Sequence, residues 1–192
     1  FMSLQMAMRM PLILMQRADE QLTIRHHAES TMSLRASLFT FGYEGLSIEA
    51  FISRLKDARV DLIVDVRELP LSRKKGFSKS AFREALAASG IGYEHRPALG
   101  CPKPVRDQYK VDGDWSRYTQ GFMAYLDNQG AEIDDLAKTA RGQRACLVCF
   151  EADFNFCHRT YVARAVHTAG GPVVQHLSAK TVTADSPALL AA

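Results

Sequence analysis

The segment Val60–Val66 restricts the fold of this chain more than any other feature of its sequence. The segment is a nearly continuous apolar and β-branched run that is interrupted only by Asp61 and Asp65. Such a run is typical of a strand covered on both faces, as in a parallel sheet flanked by helices. A helix is predicted directly before it, over Ser47–Arg59, because Ser47 is a favourable N-cap and apolar residues follow at helical spacing. The two segments together predict an α/β fold.

Strand-like and helix-like segments alternate along the rest of the chain. Four further strands are predicted at Leu38–Gly42, Ile91–His95, Ala145–Phe150 and Val173–Leu177. Helices are predicted at Lys79–Ser89, from Asp114 onwards, at Ala131–Arg141 and at Cys157–Ala169. A long loop is predicted before Asp114 from the prolines Pro97, Pro102 and Pro104. The alternation predicts a three-layer α/β sandwich, with a mostly parallel five-stranded sheet and helices on both faces.

The length of 192 residues is that of one domain with extensions. We expect a single α/β domain at residues 37–178, an N-terminal arm that is partly helical or disordered at residues 1–36, and a C-terminal tail at residues 179–192. Four cysteines are too few for a disulfide-stabilised secreted scaffold, and no apolar run approaches the roughly 20 residues that span a bilayer. We therefore expect a cytoplasmic protein that does not enter a membrane, and the oligomeric state stays open.

Polar and reactive side chains concentrate after the predicted strands, at their carboxyl ends. Ligands of open α/β sheets bind at this edge. The residues concerned are Gly42–Gly45 after the first strand, Asp65, Arg67, Ser72 and Arg73 after the second, His95 and Arg96 after the third, and Cys149, Glu151 and Cys157–Arg159 after the fourth. The carboxyl edge of the sheet is therefore the expected site.

The tripeptide Cys157-His158-Arg159 stands at the predicted start of a helix. Free backbone N–H groups and the helix dipole favour an anion there, and Arg159 adds a bidentate donor. The same field lowers the pKa of a cysteine, so Cys157 is a candidate thiolate nucleophile and His158 a candidate acid or base. The alternative is a small buried cysteine beside a solvated histidine.

Three more residues are candidates for catalysis. Cys149 ends a buried strand, which is typical of a core residue but leaves open a role as nucleophile. Glu151 follows it and could orient an arginine, bind a ribose hydroxyl or act as a base, or it is an exposed loop charge. Asp65 needs a partner because an unpaired buried carboxylate is costly. An ion pair with Arg67 is expected, and it does not prevent Arg67 from binding an anion.

A basic segment follows the second predicted strand. Six basic and two acidic residues lie within residues 67–84, which leaves a local charge of +4. Such a segment is either a solvated loop or a surface that contacts phosphate. The candidate anion-binding residues are Arg67, Ser72, Arg73 and Arg159.

A metal site is not predicted, and neither is a cofactor. Cys149, Cys157 and His158 are zinc ligands by type, as are His95 and Cys101. However, their spacing is unlike a paired Cys-x-x-Cys motif, and we expect the adjacent side chains of Cys157 and His158 to point in different directions. In the helix from Asp114, the aromatic side chains at helical spacing are expected to be core rather than a base-stacking surface; they are Trp115, Tyr118 and Phe122.

A series of short motifs runs through the predicted core in a fixed order. The motifs are Gly42-Tyr43, Asp65-Val66-Arg67, Pro70-x-Ser72-Arg73, Phe77-Ser78, Gly90-Ile91-x-Tyr93, Leu99-Gly100, Cys149-x-Glu151 and Cys157-His158-Arg159. Together they resemble the prokaryotic domain-of-unknown-function family 488, over about residues 38–167. The family's name specifies no activity, so the resemblance implies a set of recurring arginines, acids, thiols and a histidine but no reaction. This chain departs from the family at Tyr43-Glu44, where His-Ser is frequent, and at Cys101, where a glycine is usual.

The favoured hypothesis is an enzyme that acts on a phosphate-bearing substrate, namely a nucleotide, a sugar phosphate or a nucleic acid end. The arginines would hold the anion, and Glu151 or His158 would transfer a proton. Cys157 or Cys149 would be the nucleophile or a redox-sensitive bystander. The alternative is a non-catalytic nucleic-acid-binding or regulatory module that uses the same basic edge, and a further one is an ion-pair network that only holds the loops.

Overall fold

A six-stranded sheet forms the centre of the structure, a computed structural model that describes residues 36–186. The strands are β1 (Ser37–Gly42), β2 (Leu62–Asp65), β3 (Gly92–His95), β4 (Arg144–Cys149), β5 (Val174–Leu177) and β6 (Val182–Ala184). Their spatial order is β3-β2-β4-β1-β5-β6, and all neighbours are parallel except β5 and β6. The predicted α/β class and mostly parallel sheet are confirmed, and all five predicted strands are present.

Helices cover both faces of the sheet. They are α1 (Ile48–Asp57), α2 (Lys79–Ala87), α3 (Lys103–Asp112), α4 (Trp115–Leu126), α5 (Gly130–Arg141) and α6 (His158–Thr168), with 3₁₀ turns at Pro97–Leu99 and Phe154–Phe156. Alternate residues of a strand face opposite sides. Accordingly, Phe39 and Phe41 of β1 belong to a core with Phe51 of α1, whereas Leu38 belongs to a second core with Phe122 of α4. The two cores and the sheet between them form the three layers.

The chain between β3 and α4 is helical where the sequence predicted a long loop, so that prediction is wrong. Pro102 is the N-cap of α3 and Pro104 lies in its first turn. The first N–H groups of a helix have no partner within the helix, so prolines are tolerated at these positions. Gly113 then ends the helix in the left-handed conformation, with φ of 63°.

A sixth strand lies within the segment for which a tail was expected. Val182–Ala184 pairs antiparallel with β5 after a turn closed by bonds between Ser178 and Thr181. All three strand residues are exposed, so no alternating pattern marks them in the sequence. The expected N-terminal arm, except residue 36, and the end of the expected tail lie outside the described residues. None of the helices within residues 36–186 is long and apolar enough to cross a membrane.

The sheet order places three strand ends next to each other at the carboxyl edge. β4 lies between β2 and β1, with Asp65 opposite Val148 and Gly42 opposite Cys149. Residues that are separated by up to about 100 positions in the sequence therefore meet at one edge, as is usual for parallel sheets.

Candidate active site

Four side chains after β4 and at the start of α6 form a compact group, the cysteine cluster of Cys149, Glu151, Cys157 and His158. Glu151 Oε2 lies 3.0 Å from the Sγ atom of Cys149 and 3.2 Å from that of Cys157. His158 Nδ1 lies 3.7 Å and 4.0 Å from the same two sulfur atoms. Both cysteines and the histidine are buried. The sequence analysis named all four residues, and the structure brings them together.

The backbone at the start of α6 explains how neighbouring residues reach the same point. Cys157 is the N-cap of the helix and has an extended conformation, with φ of −142° and ψ of 135°. Its side chain therefore does not follow the helical path of His158. The expectation that Cys157 and His158 point in different directions is wrong for this reason. His158 is oriented by a bond of 3.0 Å between Nε2 and the Val66 carbonyl, in which Nε2 must carry the proton because a carbonyl only accepts.

The loop that carries Glu151 is fixed from two sides. A Cβ atom at Gly42 would lie 1.7 Å from the Glu151 carbonyl oxygen, so only glycine fits at the end of β1. Arg159 is fully buried and donates from Nη1 to the same carbonyl at 2.6 Å and from Nη2 to the Ala152 carbonyl at 3.3 Å. These contacts hold the Glu151 carboxylate against the two thiols.

The two thiols titrate differently. Burial acts to raise the pKa of Cys157, but its hydrogen bond with Cys149 and the charge of Arg159 outweigh burial and lower that pKa well below its usual value. The bond with Cys157 and burial raise the pKa of Cys149 well above its usual value. Burial raises the pKa of Glu151. Burial acts to lower the pKa of His158, but the hydrogen bond between His158 and Cys157 outweighs burial, so the pKa of His158 is raised. The cluster therefore favours a thiolate on Cys157 over one on Cys149.

A second polar group lies at the end of β2, the Asp65 network of Asp65, Arg67, Tyr43 and Tyr93. Asp65 Oδ1 accepts from Arg67 Nε at 2.7 Å, and Oδ2 accepts from Arg67 Nη2 at 2.5 Å and from the Tyr93 hydroxyl at 2.7 Å. Arg67 Nη1 donates to the Tyr43 hydroxyl and to the Phe77 carbonyl. Burial acts to lower the pKa of Arg67, but the bond and charge of Asp65 outweigh it and raise that pKa. The ion pair expected between Asp65 and Arg67 is confirmed.

A cavity of about 660 Å³ opens beside both groups, and we call it the carboxyl-edge cavity. Its lining includes Cys149, Glu151 and His158 of the cysteine cluster. Basic side chains also line it, namely Arg67, Arg73, Lys74, Arg106 and Lys110. Aromatic rings complete much of the wall, namely Tyr43, Tyr109, Trp115, Tyr118, Phe150 and Phe156. The cavity thus combines reactive groups, positive charge and flat apolar surfaces.

The candidate anion-binding residues occupy different positions around this cavity. Ser72 and Arg73 line it directly. Arg67 also lines it, although its guanidinium is engaged in the Asp65 network. Arg159 lies behind the cavity wall and holds the Glu151 loop. His95, one of the zinc ligands by type, contacts Lys79 and the Arg67 carbonyl and lies apart from the cysteine cluster.

Sequence reasoning missed the contribution of α3, because its segment was interpreted as a loop. Arg106 and Lys110 bring positive charge to the cavity, and Tyr109 brings a ring. A signal was present in the ion pairs of Asp107 with Lys103 and Lys110, whose i,i+4 and i,i+3 spacing is helical.

The aromatic side chains of α4 pack in or against the core, as expected. Phe122 is fully buried and Tyr118 nearly so. Trp115 is partly buried, stacks on Tyr118 with ring centroids 4.7 Å apart, and packs against the same core. Trp115 also lines the cavity.

Comparison with known proteins identifies a family and no closer relative. Neither a curated protein nor a solved structure matches this chain. The family model described as "Domain of unknown function DUF488" matches residues 47–166, which is more than half of the chain. The matched segment contains Asp65, Arg67 and the whole cysteine cluster. The chain therefore belongs to the DUF488 family.

Proposed function

We propose that this protein is an enzyme that acts on a phosphate-bearing substrate bound in the carboxyl-edge cavity. The observation that carries the proposal is that one cavity joins basic side chains at its wall with the thiol, carboxylate and imidazole of the cysteine cluster. Positive charge would bind and orient the substrate, and the cluster would supply the reacting groups.

The basic residues of the cavity are not equally available to an anion. Arg67 is paired with Asp65, and Arg106 is paired with Glu68. In contrast, Arg73 is exposed and forms no hydrogen bond or ion pair with any residue among 36–186. Positive charge that no carboxylate neutralises suits a phosphate group, which accepts several charge-assisted hydrogen bonds.

Two neighbours of Arg73 add donors to the same wall. Lys74 Nζ donates to the Tyr43 carbonyl at 3.1 Å and retains two further N–H donors. The Ser72 hydroxyl accepts from the Lys74 backbone N–H at 3.2 Å, so its own proton is free to be donated. Ser72, Arg73 and Lys74 therefore form the phosphate-binding part of the proposal.

The cysteine cluster supports catalysis rather than binding alone. Cys149, Glu151 and His158 line the cavity, while Cys157 is fully buried directly behind them. Thiol, carboxylate and imidazole groups act as nucleophiles and proton carriers in enzymes. A module that only binds nucleic acid does not need such groups converging at a buried point.

The aromatic wall favours a nucleotide among the phosphate-bearing substrates. Trp115 contacts Phe156, whose ring is 54% exposed, with ring centroids 5.4 Å apart. The ring centroids of Tyr109 and Trp115 are 5.7 Å apart. Aromatic side chains of this kind stack on nucleobases whatever the base.

Calorimetric titration with adenosine monophosphate tests the binding step. The double variant Arg73→Ala/Lys74→Ala should bind at least about tenfold more weakly than the wild type, because a hydrogen bond to a charged group contributes about 1.5–3 kcal/mol. The control is Lys75→Ala, since Lys75 is the next cation along the chain, is exposed and does not line the cavity. If the double variant binds every phosphorylated ligand tested as tightly as Lys75→Ala does, the proposal is refuted.

Mass spectrometry of a nucleotide and sugar phosphate panel, before and after incubation, tests the catalytic step. We expect a product with the wild type that is absent with Cys149→Ser. The competing function, a nucleic-acid-binding module, predicts no product with any compound and an affinity for oligonucleotides that falls steeply with salt, because phosphate contacts release counterions.

A further inference from the structure

We infer that Cys149, Cys157 and His158 form a zinc-binding site with one coordination position open to the carboxyl-edge cavity. The inference goes beyond the proposed substrate and does not depend on it. It rests on the arrangement of the donor atoms, on the orientation of the histidine, and on the carboxylate that lies beside the two sulfur atoms.

The three donor atoms have the spacing that a tetrahedral ion requires. Both Sγ atoms and His158 Nδ1 lie within 4.8 Å of one another, and the two sulfur–nitrogen distances are 3.7 Å and 4.0 Å. Zinc bonds of about 2.3 Å to sulfur and about 2.1 Å to nitrogen place tetrahedral ligand atoms roughly 3.6–3.8 Å apart. An ion therefore fits between the three atoms with only small side-chain adjustments.

The histidine is oriented as a metal ligand. Its Nε2 proton is used in the bond to the Val66 carbonyl at 3.0 Å, which leaves the Nδ1 lone pair directed at the two sulfur atoms. In metal sites the second ring nitrogen of a ligating histidine almost always donates to a carbonyl or carboxylate in this way. The contact fixes the tautomer and holds the ring before any ion arrives.

A proton acceptor lies beside both thiols, where zinc binding needs one. Both thiols donate to Glu151 Oε2, over distances of 3.0 Å and 3.2 Å. Zinc is bound by thiolates rather than thiols, so binding of the ion releases these protons, and the carboxylate can take one up. The Arg159 guanidinium donates to the carbonyls of Glu151 and Ala152 and so leaves both sulfur atoms to the ion. Thiolate and imidazole ligands bind zinc well.

The position of the three ligands indicates a catalytic rather than a purely structural zinc site. Cys149 and His158 line the cavity, so the side of the ion that they leave free faces the substrate space. Structural zinc sites have four protein ligands, whereas catalytic sites have three and an open position. Glu151 lies beside the two sulfur atoms and lines the same cavity, where its carboxylate can take up a proton.

The remaining cysteines provide an internal contrast. Cys146 is fully buried in the core formed with α1 and α2, and its thiol donates to the Leu147 carbonyl at 3.8 Å. It has the same chemistry as Cys149 and lies three residues before it on the same strand, but among residues 36–186 it belongs to no group of potential metal ligands. Cys146→Ala is therefore the matched control.

Elemental mass spectrometry of the untagged full chain, purified without chelator, is the first test. We expect about one zinc ion per chain in the wild type and in Cys146→Ala. Zinc should be lost in Cys149→Ser and in Cys157→Ser. Replacing the ion with cobalt(II) should give thiolate-to-cobalt charge-transfer bands and intense visible bands of a four-coordinate ion, and Cys149→Ser should weaken both.

The wild type alone can overturn the inference, even if a variant fails to fold. Wild-type protein that is dialysed against excess zinc, desalted and found to contain no ion would contradict it, as would a cobalt spectrum identical to that of the hydrated ion. Neither result would affect the proposed function, since phosphate binding is measured separately on Arg73 and Lys74.

Discussion

The carboxyl ends of β2 and β4 are neighbours in the sheet, yet their polar groups are arranged in opposite ways. In the Asp65 network each carboxylate oxygen accepts at least one hydrogen bond, and the positive charge of Arg67 balances the negative charge of Asp65. In the cysteine cluster, both thiols contact one carboxylate oxygen of Glu151 and the Nδ1 atom of His158. The first arrangement is an ion pair that neutralises itself, whereas the second gathers groups of nucleophile and proton-carrier type beside a cavity.

Under the proposed function, this difference separates a structural group from a functional one. Burying a charge is costly unless it is paired and hydrogen-bonded, so a fully paired network is explained by the fold itself. The convergence of reactive groups at the wall of a cavity has no such explanation. The family model matches residues 47–166, which include the cysteine cluster and all of the Asp65 network except Tyr43, so family membership alone does not distinguish the two groups.

Asp65→Asn should have the largest effect on stability. It leaves the buried charge of Arg67 without its partner, and breaking a buried pair costs about 3–5 kcal/mol. Denaturant unfolding measures this free energy. The control is Asp107→Asn, which removes an exposed partner of Lys103 and Lys110 and should leave the unfolding midpoint nearly unchanged. Equal shifts in both variants would show that the Asp65 network does not stabilise the fold.

Tyr93→Phe should destabilise the protein less, by about 1.5–3 kcal/mol, because it removes one hydrogen bond to the buried carboxylate of Asp65. Tyr109→Phe is the matched control. The Tyr109 hydroxyl forms no hydrogen bond to any residue in the range 36–186, so its loss should not change the free energy of unfolding. The same unfolding experiment compares the two variants, and a larger loss from Tyr109→Phe would contradict the prediction.

The next prediction concerns ligand binding in the carboxyl-edge cavity, to whose aromatic wall Trp115 belongs. Trp115→Ala should weaken the binding of adenosine monophosphate by about 1–3 kcal/mol, the usual contribution of one ring stacked on a base. The affinity for inorganic phosphate should stay the same, and Trp115→Phe should restore much of the loss. If both ligands are weakened equally in calorimetry, the ring acts through the shape of the cavity rather than by stacking.

The smallest change in stability is expected from Cys149→Ser, measured in the presence of chelator. A serine hydroxyl can replace the thiol in the contact with Glu151, so the cost should be less than about 1 kcal/mol. The same substitution at Cys146 places a hydroxyl in an apolar core and should cost about 1–3 kcal/mol. Equal losses in the free energy of unfolding would mean that Cys149 is packed like an ordinary core residue and would contradict the prediction.

The sequence predicts the fold well where the pattern is local. The apolar run before Asp65 identifies the strand β2, which lies inside the sheet between β3 and β4. Ser47 caps α1 as expected, accepting from the Ala50 backbone N–H. The prediction fails where one residue type is compatible with two structures. Pro102 and Pro104 are compatible with a loop and also with the start of a helix, and the structure shows that they lie at the start of α3.

The site was predictable in its members but not in its geometry. The position of strand ends in a parallel sheet indicates which residues meet, and Cys149, Glu151 and His158 follow from that rule. That Cys157 turns toward His158 depends on the extended backbone of the N-cap, which no spacing rule shows. Likewise, the ion pair of Asp65 with Arg67 was expected, but the bond from the Tyr93 hydroxyl to the same carboxylate was not, since Tyr93 lies 28 residues away on a neighbouring strand.

The most direct test of the carboxyl-edge cavity as the functional site is the alkylation rate of each cysteine, measured by mass spectrometry on chelator-treated protein with and without adenosine monophosphate. The pKa values of both thiols are raised, but Cys149 lines the cavity whereas Cys146 is fully buried in the core. Cys149 should therefore react faster than Cys146, and the nucleotide should slow its reaction. A Cys149 thiol as inert as Cys146, or one that reacts at the same rate with the nucleotide present, would contradict the assignment of the site.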